Sequence, residues 1–242
     1  MSNNGSVQAT GDPILMGIDG CKGGWIAAVD RGSQLPLSCE RFDSIEHVMK
    51  CAPHVVAIDI PIGLLDCGCR VCDVEARSQL GARRSSVFTA PIRPVLSASS
   101  HDDACLIRWK AEGKRISRQA WAIVEKVEQI DSALRTNEAW RSIIREVHPE
   151  LCFQRLNNDR ALAHGKKRPA GRRERLDLLR PVFGSAVDEV LADRKHLACA
   201  NDDVIDAFVA LWTARRIAQR TAVPVPARPL ADPHGITMQM WA

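Results

Sequence analysis

The chain has 242 residues, 45% of them hydrophobic and 26% charged, enough for one large domain or a domain carrying an inserted subdomain. No apolar run reaches the roughly 18 residues a membrane-spanning helix needs, because Asp59 interrupts the best of them, Val55–Leu65, so a membrane partner is excluded. The formal net charge of +4 is too modest to name a partner by itself.

Residues 1–12 are polar and carry no apolar signal core, which predicts a disordered tail on a cytoplasmic protein, ahead of a single domain over residues 13–242. The first folded stretch, Ile14–Asp30, reads ILMGIDGCKGGWIAAVD: an apolar strand, a glycine turn at Gly20, Gly23 and Gly24, and a second strand. Asp19 sits near the middle of this hairpin. A carboxylate between buried flanks costs several kcal/mol unless it is hydrogen-bonded, paired or bound to a cation. A third strand is predicted over Leu35–Arg41, a helix over Ile45–Lys50 capped by Ser44, and a fourth strand over Val55–Ile60. That strand ends around Asp59 and is stopped by Pro61 and Gly63. Three strands in series, a helix and a fourth strand reached by a crossover predict an α/β mixed sheet, antiparallel first and parallel after.

Nine cysteines and no export signal predict reduced thiols. Cys67, Cys69 and Cys72 form the one cluster; loop thiols are the reading adopted, with part of a zinc site as the alternative. A helix is expected over Asp73–Leu80 and an ordered loop over Gly81–Pro94. Arg77, Arg83 and Arg84 in this region either meet phosphate or pair with acids, the second being favoured for each alone. Helical spacing through Trp121, Val124, Val127, Ile130 and Leu134 predicts two or three helices forming an insert over about 101–142. Trp109, Trp121 and Trp140 are expected to pack in the core or against the insert. A fifth strand is predicted over Ser142–Val147, then a helix from Leu151. Glu150, between them, is either a further member of the acid set or a first-turn acid favoured by the helix dipole. His148 is read as a hydrogen-bonded structural histidine rather than a ligand.

Lys166, Lys167, Arg168, Arg172, Arg173, Arg175 and Arg180 crowd one short stretch, which binds phosphate only if it borders a catalytic site. Helices are expected over Arg172–Leu179 and Ser185–Arg194, split by Pro181 and Gly184. The last and clearest helix has Asn201 as its expected N-cap and runs to Arg220, with Ile205, Phe208, Val209 and Trp212 on one face. Asp203 and Asp206 share a face one turn apart; capping explains Asp202 and Asp203 but not Asp206. A final strand through Ile236, Met238 and Met240 is expected at the sheet edge or as cover.

If the first and fourth strands are neighbours and the last helix crosses them, Asp19, Asp59, Glu150, Asp203 and Asp206 gather at one edge. So many acids cannot all ionise without cations. Oxygen ligands select Mg²⁺ or Mn²⁺, and two such ions about 4 Å apart suit phosphodiester cleavage.

From about Met16 to Trp241 the chain resembles the family called domain of unknown function 429, described as predicted RNase H-like nucleases. The motifs that carry the resemblance are GIDGCKGGW, AIDIPIGL, C-D-x-E-A-R at Cys72–Arg77, L-G-x-R-R-S-S-V-F at Leu80–Phe88, GKRISRQAW, EVHPELCF, GRRERLDLL and DDVIDA, in that order. The resemblance implies an RNase H-like fold in which Asp19, Asp59, Asp203 and Asp206 are metal ligands, as in RuvC-type junction resolvases. Glu150 and Asp202 match family positions of less defined role, Glu150 being assigned to the catalytic set and Asp202 to the metal set. The helical insert departs from a minimal RNase H, so substrate preference does not carry over.

The leading expectation is therefore a Mg²⁺- or Mn²⁺-dependent nuclease. Lys22, Arg83, Arg84, Lys166, Lys167, Arg172 and Arg173 would position the phosphates of a nucleic acid. The partners considered are nucleic acid and, as an open option, a second copy of the chain as a homodimer. The rivals are a phosphotransferase of the actin and sugar-kinase type, which shares the Asp-Gly hairpin but normally repeats it, and a binding protein that kept the fold without the chemistry.

Overall fold

The structure, a computed structural model, describes residues 12–242; the tail expected over residues 1–12 lies, but for Asp12, outside the described residues. Strands β1 (Leu15–Cys21), β2 (Gly24–Asp30) and β3 (Ser38–Phe42) form an antiparallel meander, followed by helix α1 (Ile45–Lys50) and strand β4 (Val55–Ile58). Ser44 caps α1 as expected, its side chain accepting a hydrogen bond from the His47 amide. Helix α2 (Val71–Leu80) precedes the insert, α3 (His101–Glu112), α4 (Arg118–Ala122) and α5 (Val124–Thr136). Then come β5 (Ile144–Val147), α6 (Pro149–Leu156), α7 (Pro169–Phe183), α8 (Ala186–Asp193), α9 (Asn201–Ala218), β6 (Pro224–Ala231) and β7 (Thr237–Trp241).

The strands make one seven-stranded mixed sheet in the order β3-β2-β1-β4-β5-β7-β6, consistent with an RNase H-like fold. The pairs β1–β4, β4–β5 and β5–β7 are parallel. Both faces are covered, so the central strands read as nearly continuous apolar runs. Met16, Ile18, Trp25, Val56 and Ile58 pack on one face with α1 and α5 residues such as Val48 and Ile130. Leu15, Cys21, Ile26 and Ala57 pack on the other with Phe153 of α6 and Phe208 of α9. The period-two alternation of a strand then puts Asp19 and Asp59 on the α9 face, in step with Leu15 and Ala57.

How close α9 comes is set by Gly17. A Cβ there would lie 1.9 Å from the Leu211 amide nitrogen and 2.3 Å from the Ala207 carbonyl oxygen, both backbone atoms of α9. Only a residue with no side chain lets the helix rest directly on β1.

Several expectations are corrected in detail. Helix α9 is capped by Ala200 rather than Asn201, because the Asp203 carboxylate accepts the Ala200 amide at 2.8 Å and Asn201 is turned to Arg194. Pro181 does not split α7; buried Leu179 and Phe183 hold the helix on the core across the missing amide. Trp109 is 57% exposed, since α3 buries Ala104, Cys105 and Arg108 and Trp109 projects one position further round. The final strand β7 is internal to the sheet, with β6 at the edge. Cys67 and Cys69 are exposed whereas Cys72 is buried within α2, so the three thiols do not form one ligand set. No helix among the described residues is long and apolar enough to cross a membrane.

Gly17→Ala is expected to destabilise the fold by about 3 kcal/mol, the upper end of overpacking costs, because backbone rather than a side-chain tip must yield. Denaturant unfolding measures it; a loss under about 1 kcal/mol would show that α9 can lift off β1 at little cost.

Candidate metal and phosphate site

Asp19 of β1 and Asp59 just after β4 line a cleft of about 700 Å³ at one end of the sheet, and Asp206 of α9, outside its lining, is close enough for its charge to act on both. Parallel pairing of Ile18 with Ile58 makes Asp19 and Asp59 the next residues of adjacent strands, and the Asp59 amide donates to the Ile18 carbonyl at 3.0 Å. Asp206, only 1% exposed, lies behind them in the first turns of α9, one residue before the Ala207 that touches the Gly17 position. Opposite stands Lys166, whose ammonium donates to Asp206 Oδ2 at 2.6 Å. The Asp19 Oδ1 accepts from the Gly20 amide at 2.7 Å.

The charges do not balance locally. Burial, then the neighbouring Asp59 and Asp206, push the Asp19 carboxyl well above the ordinary carboxylate range. Burial and then Asp206 push Asp59 up to about 7, against the pull of Lys166. Asp206 and Asp203 are also raised, chiefly by burial. Burial alone would discharge Lys166, but Asp206, Asp19 and Asp59 outweigh it and hold the ammonium charged. Asp19, Asp59 and Asp206 thus face one half-exposed ammonium, with Arg175 a further cation near Asp206 and Lys126 one near Asp203, and their raised carboxyls mark a negative charge that a hard cation would relieve.

Other acids nearby are already compensated. Glu150 is paired with Arg175 and, at 3.2 Å, with Arg83; burial would raise its carboxyl, but the two guanidinium groups outweigh that and hold it below the ordinary range. Its charge is thereby spent on positioning arginines, which leaves it outside the set that calls for a cation. Glu146 and Asp73, which sequence reasoning passed over, sandwich the buried Arg70, at 2.8 Å and 2.5 Å. Arg70 also donates to the Ile62 carbonyl and Glu146 Oε2 accepts from the Ile62 amide, so this trio clamps the loop after β4. The one group of three or more ligand atoms within 4.8 Å of one another among the described residues is Cys72, Asp73 and Glu146. Arg70 neutralises it and burial pushes the Cys72 thiol up, so it is a poor cation site despite its compactness. By the same measure Asp19, Asp59 and Asp206 are spread more widely than a closed three-ligand set.

The sequence-chosen cations divide. Lys22, Arg83, Lys166 and Lys167 line the cleft. Arg84 borders a separate hollow with Arg77 of α2, because the 3-10 turn over Gly81–Ser86 turns successive side chains to different sides. Arg172 and Arg173 are exposed on α7; its inner face is taken by Gly171 and Arg175, and residues one or two positions away must point outward. Asp202 and Asp203 occupy the first turn of α9 and neither lines the cleft, although Asp203 faces Lys166 and Lys126. Lys166 is well anchored: a Cβ on Gly171 would meet the Gly165 carbonyl oxygen at 2.1 Å, and Arg175 donates to the His164 carbonyl at 3.2 Å.

Sequence reasoning missed the wall supplied by the insert. Gln119, Ile123 and Lys126 line the cleft, and Lys126 donates to the Gly24 carbonyl at 2.5 Å while its ammonium lies 4.5 Å from the Trp25 ring centre. The motif GKRISRQAW contained Gln119, but nothing in its spacing pointed back to β1.

The raised Asp59 gives a signed prediction. Between pH 4 and pH 7 the unfolded chain has released the Asp59 proton while the folded chain retains it, so the metal-free fold loses stability as pH rises through that window. Asp59→Asn has no such loss. In chelator at pH 8 it is expected to exceed the parent by on the order of 1–2 kcal/mol, a rise of about 3 °C or more in thermal midpoint, shrinking toward pH 4. Equal midpoints at pH 8 would show that Asp59 is not held under like-charge strain.

No curated protein and no solved structure matches the chain. A family model does, over residues 17–231, a span running from the glycine under α9 through Asp19, Asp59, Lys166 and Asp206 to the edge strand β6. The chain therefore belongs to the family described as protein of unknown function (DUF429).

Proposed function

We propose that the protein is a nuclease that hydrolyses phosphodiester bonds in nucleic acid with the aid of Mg²⁺ or Mn²⁺. The observation that carries this reading is the convergence of Asp19, Asp59 and Asp206 from opposite ends of the chain, with too little positive charge to balance them. Their oxygens are hard donors, which suits Mg²⁺ or Mn²⁺ and not a thiophilic ion. Several carboxylates beside one cleft suit a pair of ions about 3.5–4 Å apart. Asp19, Asp59 and Asp206 would hold them, with Asp203 at the edge.

Bound there, divalent ions would supply a Lewis acid for the phosphoryl oxygens and a water ionised near neutral pH. The chain's own groups do the rest. Lys22 and Lys167 are exposed at the cleft and make no ion pair among the described residues, so they can take the non-bridging oxygens of a phosphate. Lys166 can exchange its partner from Asp206 to substrate once cations neutralise the acids, and its protonated amine is then placed to donate to the leaving oxygen. Water oxygen adds to phosphorus, the bond to the leaving oxygen breaks, and that oxygen takes up a proton.

A second reading, a binding protein without chemistry, is favoured by one observation: Lys166 already gives Asp206 a cation. The two part on metal dependence. Supplied with Mn²⁺ and a panel of single strands, duplexes, hybrids and four-way junctions, the parent protein is expected to cut at least one, and Asp19→Asn to lower kcat/KM at least about 100-fold, near 2.7 kcal/mol. Cleavage of none, or undiminished cleavage by Asp19→Asn at unchanged thermal midpoint, contradicts the nuclease. Because Asp59 must be deprotonated to bind metal, apparent Mn²⁺ affinity by calorimetry is expected to rise with pH up to about 7 and flatten above; a pH-independent affinity contradicts that assignment.

A further inference from the structure

The cleft over the acids carries more than phosphate-binding charge. Its wall includes Phe88, half-buried at the end of the arginine- and serine-rich loop, with Val87 beside it, and Ile123 of the insert. It also includes His148, whose ring Nε2 lies 3.3 Å from the Ser86 carbonyl oxygen. That carbonyl can only accept, so Nε2 carries the hydrogen and Nδ1 is left as an acceptor. Nδ1 is buried and has no partner among the described residues, and burial lowers the ring's pKa, favouring the neutral form. A buried acceptor without a donor is costly, which marks a place where a ligand N–H or O–H would be welcomed.

We propose that the substrate enters as an unpaired nucleotide, from a single strand or a frayed end: its base lies against Phe88, its polar edge or sugar hydroxyl meets His148 Nδ1, and its phosphate faces Asp19 and Asp59. This deepens the nuclease reading and rests on it for the phosphate's position, but the recognition of an unpaired base stands on the cleft itself. Size agrees. A cleft of about 700 Å³ falls in the range that encloses small molecules, enough for one or two nucleotides, whereas one duplex turn is about 34 Å long. The walls agree too, since the insert, through Gln119 and Ile123, adds a side to the cleft that Asp19 and Asp59 line. A base held in a duplex stack cannot reach an aromatic side chain in such a cleft without being flipped out, which costs unstacking and unpairing. A single strand avoids that cost and gains stacking on an aromatic face whatever its sequence.

Binding separates this proposal from the nuclease reading, because it is measured on the Asp19→Asn variant with no turnover required. Fluorescein-labelled single-stranded tetranucleotides, as DNA and as RNA, are titrated beside blunt duplexes of about 20 base pairs of the same sugar. At least one single strand is expected to bind ten or more times more tightly than its duplex. Phe88→Leu, which keeps apolar bulk but removes the aromatic face, is expected to weaken single-strand binding about tenfold at unchanged thermal midpoint. His148→Phe, which keeps the ring and removes the acceptor, is expected to weaken it as well. Duplex binding as tight as single-strand binding overturns the proposal, as does an undiminished Phe88→Leu. If single strands bind in this way but the parent protein with Mn²⁺ cuts nothing, the nuclease reading falls and the nucleotide cleft stands.

Discussion

The contact on which everything else depends is the seat of α9 on β1 at Gly17. Leu211 and Ala207 present backbone atoms to a position where even a methyl group cannot fit, so the helix axis is drawn against the middle of the sheet. From that seat the rest follows by spacing. Asp206 precedes Ala207, and Asp203 lies one turn earlier at the helix start, where it also caps the Ala200 amide. Asp19 lies two residues beyond Gly17 on the same strand face, and Asp59 is brought alongside by parallel pairing of β4 with β1. A glycine with no chemistry of its own decides where three carboxylates meet.

Compensated and uncompensated acids sort cleanly within a small volume. Glu150 has Arg175 and Arg83; Glu146 and Asp73 share Arg70; Asp131 and Asp232 share Arg93, which ties the insert to the β6–β7 turn. Each of these buried pairs is fixed by further bonds to backbone groups, which is what makes a buried charge tolerable. Among the described residues the one ion pair to Asp19, Asp59 and Asp206 is that of Lys166 with Asp206, Arg175 acting on Asp206 from further off, and the loop that carries Lys166 is pinned through Gly171, Arg175 and Glu174. The structural ion pairs and the Asp19–Asp59–Asp206 group thus differ in the number of guanidinium groups paired directly with them, not in burial alone.

Much of the framework could be read from the residues. Strands with acids at or just beyond their ends, a capped helix at Ser44, the amphipathic insert and the terminal helix all have local signatures of period and capping, and they fall within a few residues of where the pattern places them, the terminal helix's cap moving from Asn201 to Ala200. Asp19, Asp59 and Asp206 stand out in the sequence for a physical reason: each interrupts an apolar face that would otherwise close. What escaped was everything set by tertiary contact. Glu150 looks like Asp59 in sequence, yet lies beside two arginines that no local pattern places there. Glu146 sits in a strand like an ordinary alternating polar residue, and only the fold reveals Arg70 against it. Arg172, Arg173 and Arg84 count toward a basic stretch, but a helix and a tight turn scatter their directions. Lys126, Phe88 and His148 come to the cleft from segments whose spacing speaks only of packing.

The most direct test of the account is a crystal of the protein soaked in Mn²⁺ and examined by anomalous scattering. The account predicts manganese between Asp19 and Asp59, with Lys166 moved away from Asp206. Manganese at Cys72, Asp73 and Glu146 instead, or none with Lys166 still on Asp206, would contradict it.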